Sequence, residues 1–159
     1  MNSAVYLSLG SNIGDRAGNL NAAIDRLRAV GEIVQVSPFY ETEPVEFAAQ
    51  AWFLNCAIAL DTEKTPQELL ASILDIEQQM GRRRGQKKGP RVIDIDLIAY
   101  GDIALKTERL TLPHPELFNR AFVLVPLAEI APDLMIAGVG VAKAAERLQD
   151  EAAQILPLD

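Results

Sequence analysis

The stretch GPRVIDIDLIAY, residues 89–100, decides the fold because apolar and acidic residues alternate along it. Successive side chains of a β-strand point to opposite faces, so Asp94 and Asp96 share one face. The opposite face is aliphatic and contains Ile93, Ile95 and Leu97. Aspartate is rare in strands because its short side chain competes for backbone hydrogen bonds, so two of them suggest a local use. The stretch therefore predicts a strand with one core face and one acidic face.

The acidic face has two interpretations. Alternate strand residues have Cα atoms roughly 6.5 Å apart, so the two carboxylates can hold one hard cation or a pair of cations. Alternatively, the strand is half-solvated and its outer face carries two ordinary surface acids. The preceding segment favours the metal, because six of the 15 basic residues lie at positions 82–91, interspersed with glycine. A cationic loop that leads into paired carboxylates predicts a site for ATP and Mg²⁺.

Length and composition narrow the class of protein. The 159 residues are expected to form one domain, residues 1–159, large enough to bury a core without disulfides. The net charge of −7 argues against a nucleic-acid binder, and the single cysteine, Cys56, excludes an internal disulfide framework. We find no export signal, apolar span or oligomerisation seam. The expected protein is therefore a cytoplasmic monomer that does not bind membranes.

The order of predicted elements is βαββαβ, the ferredoxin-like pattern of α+β folds, in which two helices stack on one sheet face. The elements are a strand at 4–9, a helix with an apolar stripe from Leu20 to Val30, a strand at 33–40 interrupted near Pro38, a strand at 53–60, a helix from Thr65 to Gly81, and the strand ending at Tyr100. Extra elements follow: a hairpin or a pair of short strands at 103–112, then residues 118–122 leading to a short helix that ends at Ile130, and a last helix at 141–148.

The sequence makes specific predictions for three local features. The segment 10–14 lacks the Gly-Lys-Ser/Thr ending of a P-loop, so its expected role is a tight turn. Asp15 or Asn12 is expected to cap the first helix. Glu77, near the end of the second helix, is expected to face away from most of the apolar stripe.

Residues 87–98, which read K-x-G-P-R-x-x-D-I-D-L-I, resemble the signature of the 6-hydroxymethyl-7,8-dihydropterin pyrophosphokinases of folate biosynthesis. Further blocks similar to this family occur in the family's order, at residues 9–12, 39–44, 53–55, 113–115 and 120–127. The resemblance implies transfer of a pyrophosphoryl group from ATP to the pterin hydroxymethyl oxygen, with release of AMP.

The resemblance also implies a role for individual residues. Asp94 and Asp96 would hold two Mg²⁺ ions between the ATP phosphates and the acceptor hydroxyl, with Arg82 and Arg91 as catalytic partners. This agrees with the chemistry, because such transfer requires positioning and charge neutralisation rather than a covalent nucleophile. The implied pterin contacts are stacking on Phe53 and Phe122 and hydrogen bonds from Asn55 and from the backbone of Thr42, Pro44 and Val45. The implied ATP contacts are Glu77, Arg84, Arg91, Leu97, Arg109, Thr111, His114 and Arg120.

Each assignment has a plainer alternative. The aromatic residues could be core residues, the arginines could be solvated charges, His114 could be structural, and Glu77 could cap its helix. Two other functions also remain open: a non-catalytic ferredoxin-like binding module, and a two-metal nuclease that uses Asp94 and Asp96. An RNA-recognition module shares the element order, but the aromatic-rich central strand is missing. The expected partners are thus ATP and a hydroxymethyl dihydropterin, not nucleic acid.

Overall fold

The structure is a computed structural model that describes residues 3–42, 51–81, 91–148 and 155–157. Its elements, in chain order, are β1 (Ser3–Ser11), α1 (Arg16–Leu27), β2 (Glu32–Val36), β3 (Tyr40–Thr42), β4 (Phe53–Thr62), α2 (Pro66–Gln79), β5 (Asp94–Tyr100), β6 (Leu105–Lys106), β7 (Thr111–Leu112), a 3-10 turn (Leu117–Asn119), α3 (Ala121–Ile130), β8 (Met135–Ile136), β9 (Val139–Gly140), α4 (Val141–Leu148) and β10 (Ile155–Pro157). The predicted βαββαβ core, the later hairpin and the C-terminal helices are confirmed.

Six strands form the main sheet, and all of its pairings are antiparallel. Strand β1 lies between β4 and β5, so a segment near the start of the chain is an inner strand of the sheet. Strands β2 and β3 both pair with β4, and β10 pairs with β3. The smaller pairs β6–β7 and β8–β9 are separate hairpins.

One face of the sheet packs against α1 and α2. The aliphatic face of β5 lies here, with Ile95 4% and Leu97 5% exposed, as alternation predicts. The other residues of this cluster include Val5, Leu7, Leu9, Leu54, Cys56, Ile58 and Leu60 from the sheet and Leu20, Ile24, Leu27, Leu69, Ile73 and Ile76 from the helices. This cluster is the larger of the two cores.

The opposite sheet face packs against α3 and α4. Its sheet residues are small or placed near one end, and include Ala57, Ile98 and Ala99. The pairing of β1 with β5 shifts register between Tyr6 and Leu7, so Ile98 and Ala99 both join this cluster. Helix residues Val123, Leu124, Leu127, Val141 and Ala144 complete it.

Several local predictions are confirmed and others are wrong. Thr65 and Glu68 form the predicted capping box, with Glu68 N 3.2 Å from Thr65 Oγ1. Asp15, and not Asn12, caps α1 by accepting a hydrogen bond from Gly18 N. Helix α1 ends at Leu27 instead of Val30, because the next residues tighten into a turn of i→i+3 hydrogen bonds.

The strand expected at 33–40 is divided into β2 and β3. The division falls at Ser37 and Pro38, where the sequence predicts an interruption because proline has no N–H to donate. Ser37 maintains contact with β4 at this point, since its backbone N donates to Ala57 O and its Oγ accepts from Ala57 N, both at 2.9 Å.

Among the helices of the described residues, none is long and apolar enough to cross a bilayer.

Candidate active site

A polar row crosses the second sheet face near the start of α3. Gly10 on β1 is the register partner of Asp94 on β5 and of Asn55 on β4. A Cβ atom on Gly10 would lie 2.6 Å from Asn55 Nδ2, so only glycine fits between these two neighbours. Adjacent strands are about 4.8 Å apart, which places Asp94 and Asn55 roughly 10 Å from each other. The row therefore joins the candidate metal ligand to the candidate pterin ligand.

Asp96 lies one row along the same face, opposite Ser8. Both aspartates are half-buried, whereas Ile95 between them is buried in the first core. Arg120 Nη1 lies 3.9 Å from Asp96 Oδ2, and the Arg120 guanidinium also lies 5.6 Å from the centre of the Phe122 ring. Arg120 thus connects Asp96 to one of the two aromatic residues expected to stack on the pterin.

Asn55 is buried, and its amide is oriented by the protein. Thr42 Oγ1 donates to Asn55 Oδ1 in a short hydrogen bond, and Asn55 Nδ2 donates to Leu9 O at 3.2 Å. A primary amide has two N–H donors and an oxygen with two lone pairs, so each end retains capacity for a further partner. Phe53, the register partner of Thr42, is half-buried beside this amide. The three residues form a preorganised corner suited to the edge of a heterocycle.

Arg91 is a buried cation just before β5. Its side chain is only 6% exposed, and Nη1 has no hydrogen-bond partner within the described part of the chain. A buried donor without a partner is costly, so such a group is usually matched by an anion or by water. Arg91 therefore meets the requirement for a phosphate ligand.

Asn12 is a residue whose role the sequence reasoning missed. Its Oδ1 accepts from Arg91 N at 2.6 Å, its backbone N donates to Arg91 O at 2.9 Å, and its Nδ2 donates to Ala51 O at 3.1 Å. It belongs to a block that resembles the pyrophosphokinases, which marked the position without indicating the contacts. In addition to the turn expected for residues 10–14, Asn12 joins the start of β5 to the residues before β4.

Glu77 is buried, so the expectation that it faces away from the apolar stripe is wrong. Its carboxylate accepts a hydrogen bond from Ile95 N at 2.7 Å. Ile95 lies between Asp94 and Asp96, so Glu77 holds the strand backbone between the two carboxylates. The proposed contact of Glu77 with ATP stays a prediction.

His114 lies beside the site and has a defined proton position. Its backbone N donates to Ile98 O at 2.8 Å, and its Nδ1 accepts from Glu116 N at 3.0 Å. Burial, reinforced by the positive charge of Arg120, lowers the pKa of His114, while Glu116 and Asp94 act in the opposite direction. A neutral ring that accepts at Nδ1 carries its proton on Nε2, so His114 offers one N–H donor.

A mostly apolar cavity of about 340 Å³ lies between α2 and the β6–β7 hairpin. Its lining includes Leu70, Ala71, Arg109 and Leu110, and Thr111 begins β7 next to it. The volume falls in the range of about 300–1,000 Å³ that small-molecule pockets occupy. Leu97 belongs to the buried core instead, with its side chain on the face opposite the aspartates.

The remaining predicted site residues, Pro44, Val45, Arg82 and Arg84, lie outside the described residues. Within the described ranges, no three His, Cys, Asp or Glu side chains come together as a metal site. The candidate cation ligands in this part of the chain are Asp94 and Asp96. Such a pair suits Mg²⁺, which is usually held by one or two carboxylates together with waters and substrate phosphates.

A carboxylate pair and a buried arginine suit an enzyme that transfers a phosphate-containing group, and the apolar cavity offers space for a small molecule. Comparison with known proteins specifies which one. Residues 6–132 match the family described as 7,8-dihydro-6-hydroxymethylpterin-pyrophosphokinase (HPPK). The chain therefore belongs to the HPPK family, whose members are transferases of a pyrophosphoryl group in folate biosynthesis.

Individual relatives agree with this result. A 2-amino-4-hydroxy-6-hydroxymethyldihydropteridine pyrophosphokinase of Methylorubrum extorquens is 52% identical over 145 residues, which are 90% of this chain and 92% of the relative. The enzyme of the same name from Bacillus subtilis is 44% identical over 132 residues, 82% of this chain and 79% of the relative. A crystal structure of an HPPK-DHPS in complex with substrates has a TM-score of 0.76 at 15% identity. That match covers 95% of this chain but 44% of the larger protein, and supports the fold alone.

Proposed function

We propose that the polar row and the groups around it perform pyrophosphoryl transfer from ATP to 6-hydroxymethyl-7,8-dihydropterin, giving the pterin diphosphate and AMP. The row of Asp94, Gly10 and Asn55 is the observation that carries this proposal. It has a cation-binding carboxylate at one end and a heterocycle-binding amide at the other. Gly10 leaves the space between them without a side chain.

On the pterin side, Asn55 and Thr42 are proposed to orient the ring by its hydrogen-bonding edge. Their mutual hydrogen bond supports this, because an amide held in one orientation offers its donor and acceptor in a defined order. Phe53 and Phe122 would stack on the two ring faces. Backbone contacts from Pro44 and Val45 rest on the family resemblance alone.

On the metal side, Asp94 and Asp96 are proposed to hold two Mg²⁺ ions. When bound, Mg²⁺ neutralises phosphate charge and lowers the pKa of the acceptor hydroxyl. Two half-buried carboxylates on one strand face, kept in place through Ile95 N by Glu77, support this assignment. No histidine base is needed for a hydroxyl acidified in this way.

On the phosphate side, Arg91 and Arg120 are proposed to bind the ATP phosphates, and Arg91 and Arg82 to act in catalysis. Arg91 Nη1 has no hydrogen-bond partner among the described residues, and Arg120 lies beside Asp96, which supports two of these roles. Arg82 and Arg84 are included on the family resemblance alone. The Nε2 proton of His114 is a suitable donor for an anionic group.

The nucleoside part of ATP is proposed to lie toward the cavity between α2 and the β6–β7 hairpin. Its apolar lining suits a flat base, and Arg109 at its edge suits a nearby phosphate or ribose. Thr111, Leu97 and Glu77 are included in this part of the site on the family resemblance alone.

The test is incubation of the purified protein with ATP, Mg²⁺ and the hydroxymethyl pterin, followed by chromatography of the nucleotides. We expect AMP to accumulate in proportion to the pterin diphosphate, and to depend on both Mg²⁺ and the pterin. Formation of ADP would contradict pyrophosphoryl transfer while leaving a kinase. No nucleotide product, together with cleavage of DNA or RNA, would favour the two-metal nuclease instead.

We further propose that the chain acts as a monomeric single domain in the cytoplasm. Strands from near both ends of the chain belong to one sheet, which supports a single domain. Light scattering on the purified protein tests the monomer, and a mass of about twice 17.4 kDa would contradict it.

A further inference from the structure

Arg16, the first residue of α1, makes contacts that the helix itself does not require. A cation in the first turn opposes the helix dipole, which favours acidic side chains at that end. The helix start is already capped by Asp15. The position of Arg16 therefore calls for an explanation outside α1.

The guanidinium of Arg16 joins two separate strands. Nη2 lies 2.5 Å from Glu41 Oε1 in β3, and Nη1 donates to Trp52 O at 3.2 Å, just before β4. The ion pair is partly shielded, with the two side chains 29% and 34% exposed. The planar fork of arginine can donate to two acceptors at once in a fixed geometry, which lysine cannot do.

The two residues held by Arg16 are the chain neighbours of the pterin corner. Glu41 precedes Thr42, and Trp52 precedes Phe53. Thr42 and Phe53 are register partners and form the last pair of the β3–β4 ladder. Arg16 thus ties the two strands together at this end of the ladder, one residue from each of two candidate pterin ligands.

We propose that Arg16 is a positioning residue for the pterin, which acts through Glu41 and Trp52 and does not touch the substrate. This inference rests on the proposed function of the Thr42, Phe53 and Asn55 corner. Arg16 sets the separation and relative rotation of β3 and β4 at the Thr42–Phe53 pair. It thereby determines how well Thr42 and Phe53 fit a flat ring. Its effect is specific to the pterin, because Asn12, and not Arg16, holds Arg91 on the phosphate side.

The test compares Arg16→Ala, Arg16→Lys and Glu41→Gln with Arg28→Ala. Arg28 is the matched control, since it lies just beyond the other end of α1 and makes an exposed ion pair with Asp25 at 3.5 Å. For each protein, the KM values for pterin and for ATP and the thermal midpoint are measured. Wild-type AMP formation is measured first, and its absence would overturn the proposed function and this inference together.

With an active wild type, we expect Arg16→Ala to raise the pterin KM about tenfold, since small misplacements of positioning groups have large kinetic effects. The ATP KM should stay within about twofold. The thermal midpoint should stay close to that of Arg28→Ala, because an ion pair that still contacts solvent adds little stability. Arg16→Lys and Glu41→Gln should fall between wild type and Arg16→Ala. An Arg16→Ala pterin KM equal to that of Arg28→Ala, or an equal rise in both KM values, overturns the inference while the proposed function stands.

Discussion

The two faces of the central sheet are built from the same three strands, β4, β1 and β5, yet they have opposite uses. One face is aliphatic along its length and is covered by α1 and α2. The other is covered by α3 and α4 only near Ala57 and Ile98, and beyond them carries the row of Asp94, Gly10 and Asn55. The difference indicates that the candidate site lies beside the start of α3, where polar residues take the place of apolar ones on the second face.

The electrostatic settings of the two faces differ accordingly. On the aliphatic face, burial alone raises the pKa of Cys56 to about 12, which keeps the thiol protonated and unreactive. On the site face, the pKa of His114 responds to burial and to charges of both signs. The pKa of Cys56 thus reflects only the loss of water, whereas the pKa of His114 also reflects the charges of Arg120, Glu116 and Asp94.

Removal of a carboxylate should produce the largest effect, and should affect function only. We expect Asp96→Ala to lower turnover by about 10³-fold or more, because a lost metal ligand removes several kcal/mol of transition-state stabilisation. Unfolding by urea should change little. The control is Asp102→Ala, an exposed carboxylate in the turn after β5. Near-normal Mg²⁺-dependent turnover of Asp96→Ala would exclude the proposed metal site.

A truncation on the aliphatic face should affect stability and leave the chemistry intact. Leu7 is fully buried and pairs with Ile58 and Leu97, so we expect Leu7→Ala to lower the free energy of unfolding by about 2–5 kcal/mol. Leu74, an exposed residue of α2, is the matched control, and Leu74→Ala should cost less than about 0.5 kcal/mol. Denaturant titration measures both, and a loss of turnover in fully folded Leu7→Ala would contradict the separation of the faces.

The amide at the far end of the polar row should give an intermediate effect that distinguishes the substrates. We expect Asn55→Ala to weaken pterin binding by about 1–3 kcal/mol, since it removes a buried hydrogen-bonding partner. ATP binding should change less. Calorimetry with each ligand measures the difference, with Asn21→Ala on the exposed side of α1 as control. Equal pterin affinity in wild type and Asn55→Ala would place the pterin elsewhere.

The smallest effect concerns His114 and pH. Its pKa is lowered below the ordinary 6.5, so between these values the unfolded chain binds the proton more readily than the folded one. The contribution of this residue to stability is therefore intact above pH 6.5 and declines as the pH falls below it. We expect the stability of the wild type relative to His114→Asn to decrease from about pH 7.5 to about pH 5 in urea titrations. A constant difference would mean that His114 is not held neutral by its surroundings.

Much of this comparison could be predicted from local pattern. The period of two along β5 separates Asp94 and Asp96 from Ile95, and the Thr65-Pro66-Gln67-Glu68 start predicts the second helix. Glu77 shows the limit of such patterns. Helical periodicity predicted that its carboxylate points away from the core. The carboxylate is buried instead, because it accepts a hydrogen bond from the backbone N–H of Ile95, 18 residues later in the chain.

The sequence by itself determined the element order, the two faces of β5 and the family to which the chain belongs, because periodicity and motif spacing are local properties of a chain. Only the tertiary structure decided that Gly10 separates Asp94 from Asn55, that Asn12 holds Arg91, and that Arg16 joins Glu41 to Trp52. These contacts join residues 25 to 84 positions apart. Strand register and the placement of helix ends on the sheet set such contacts, and both follow from packing of the whole chain.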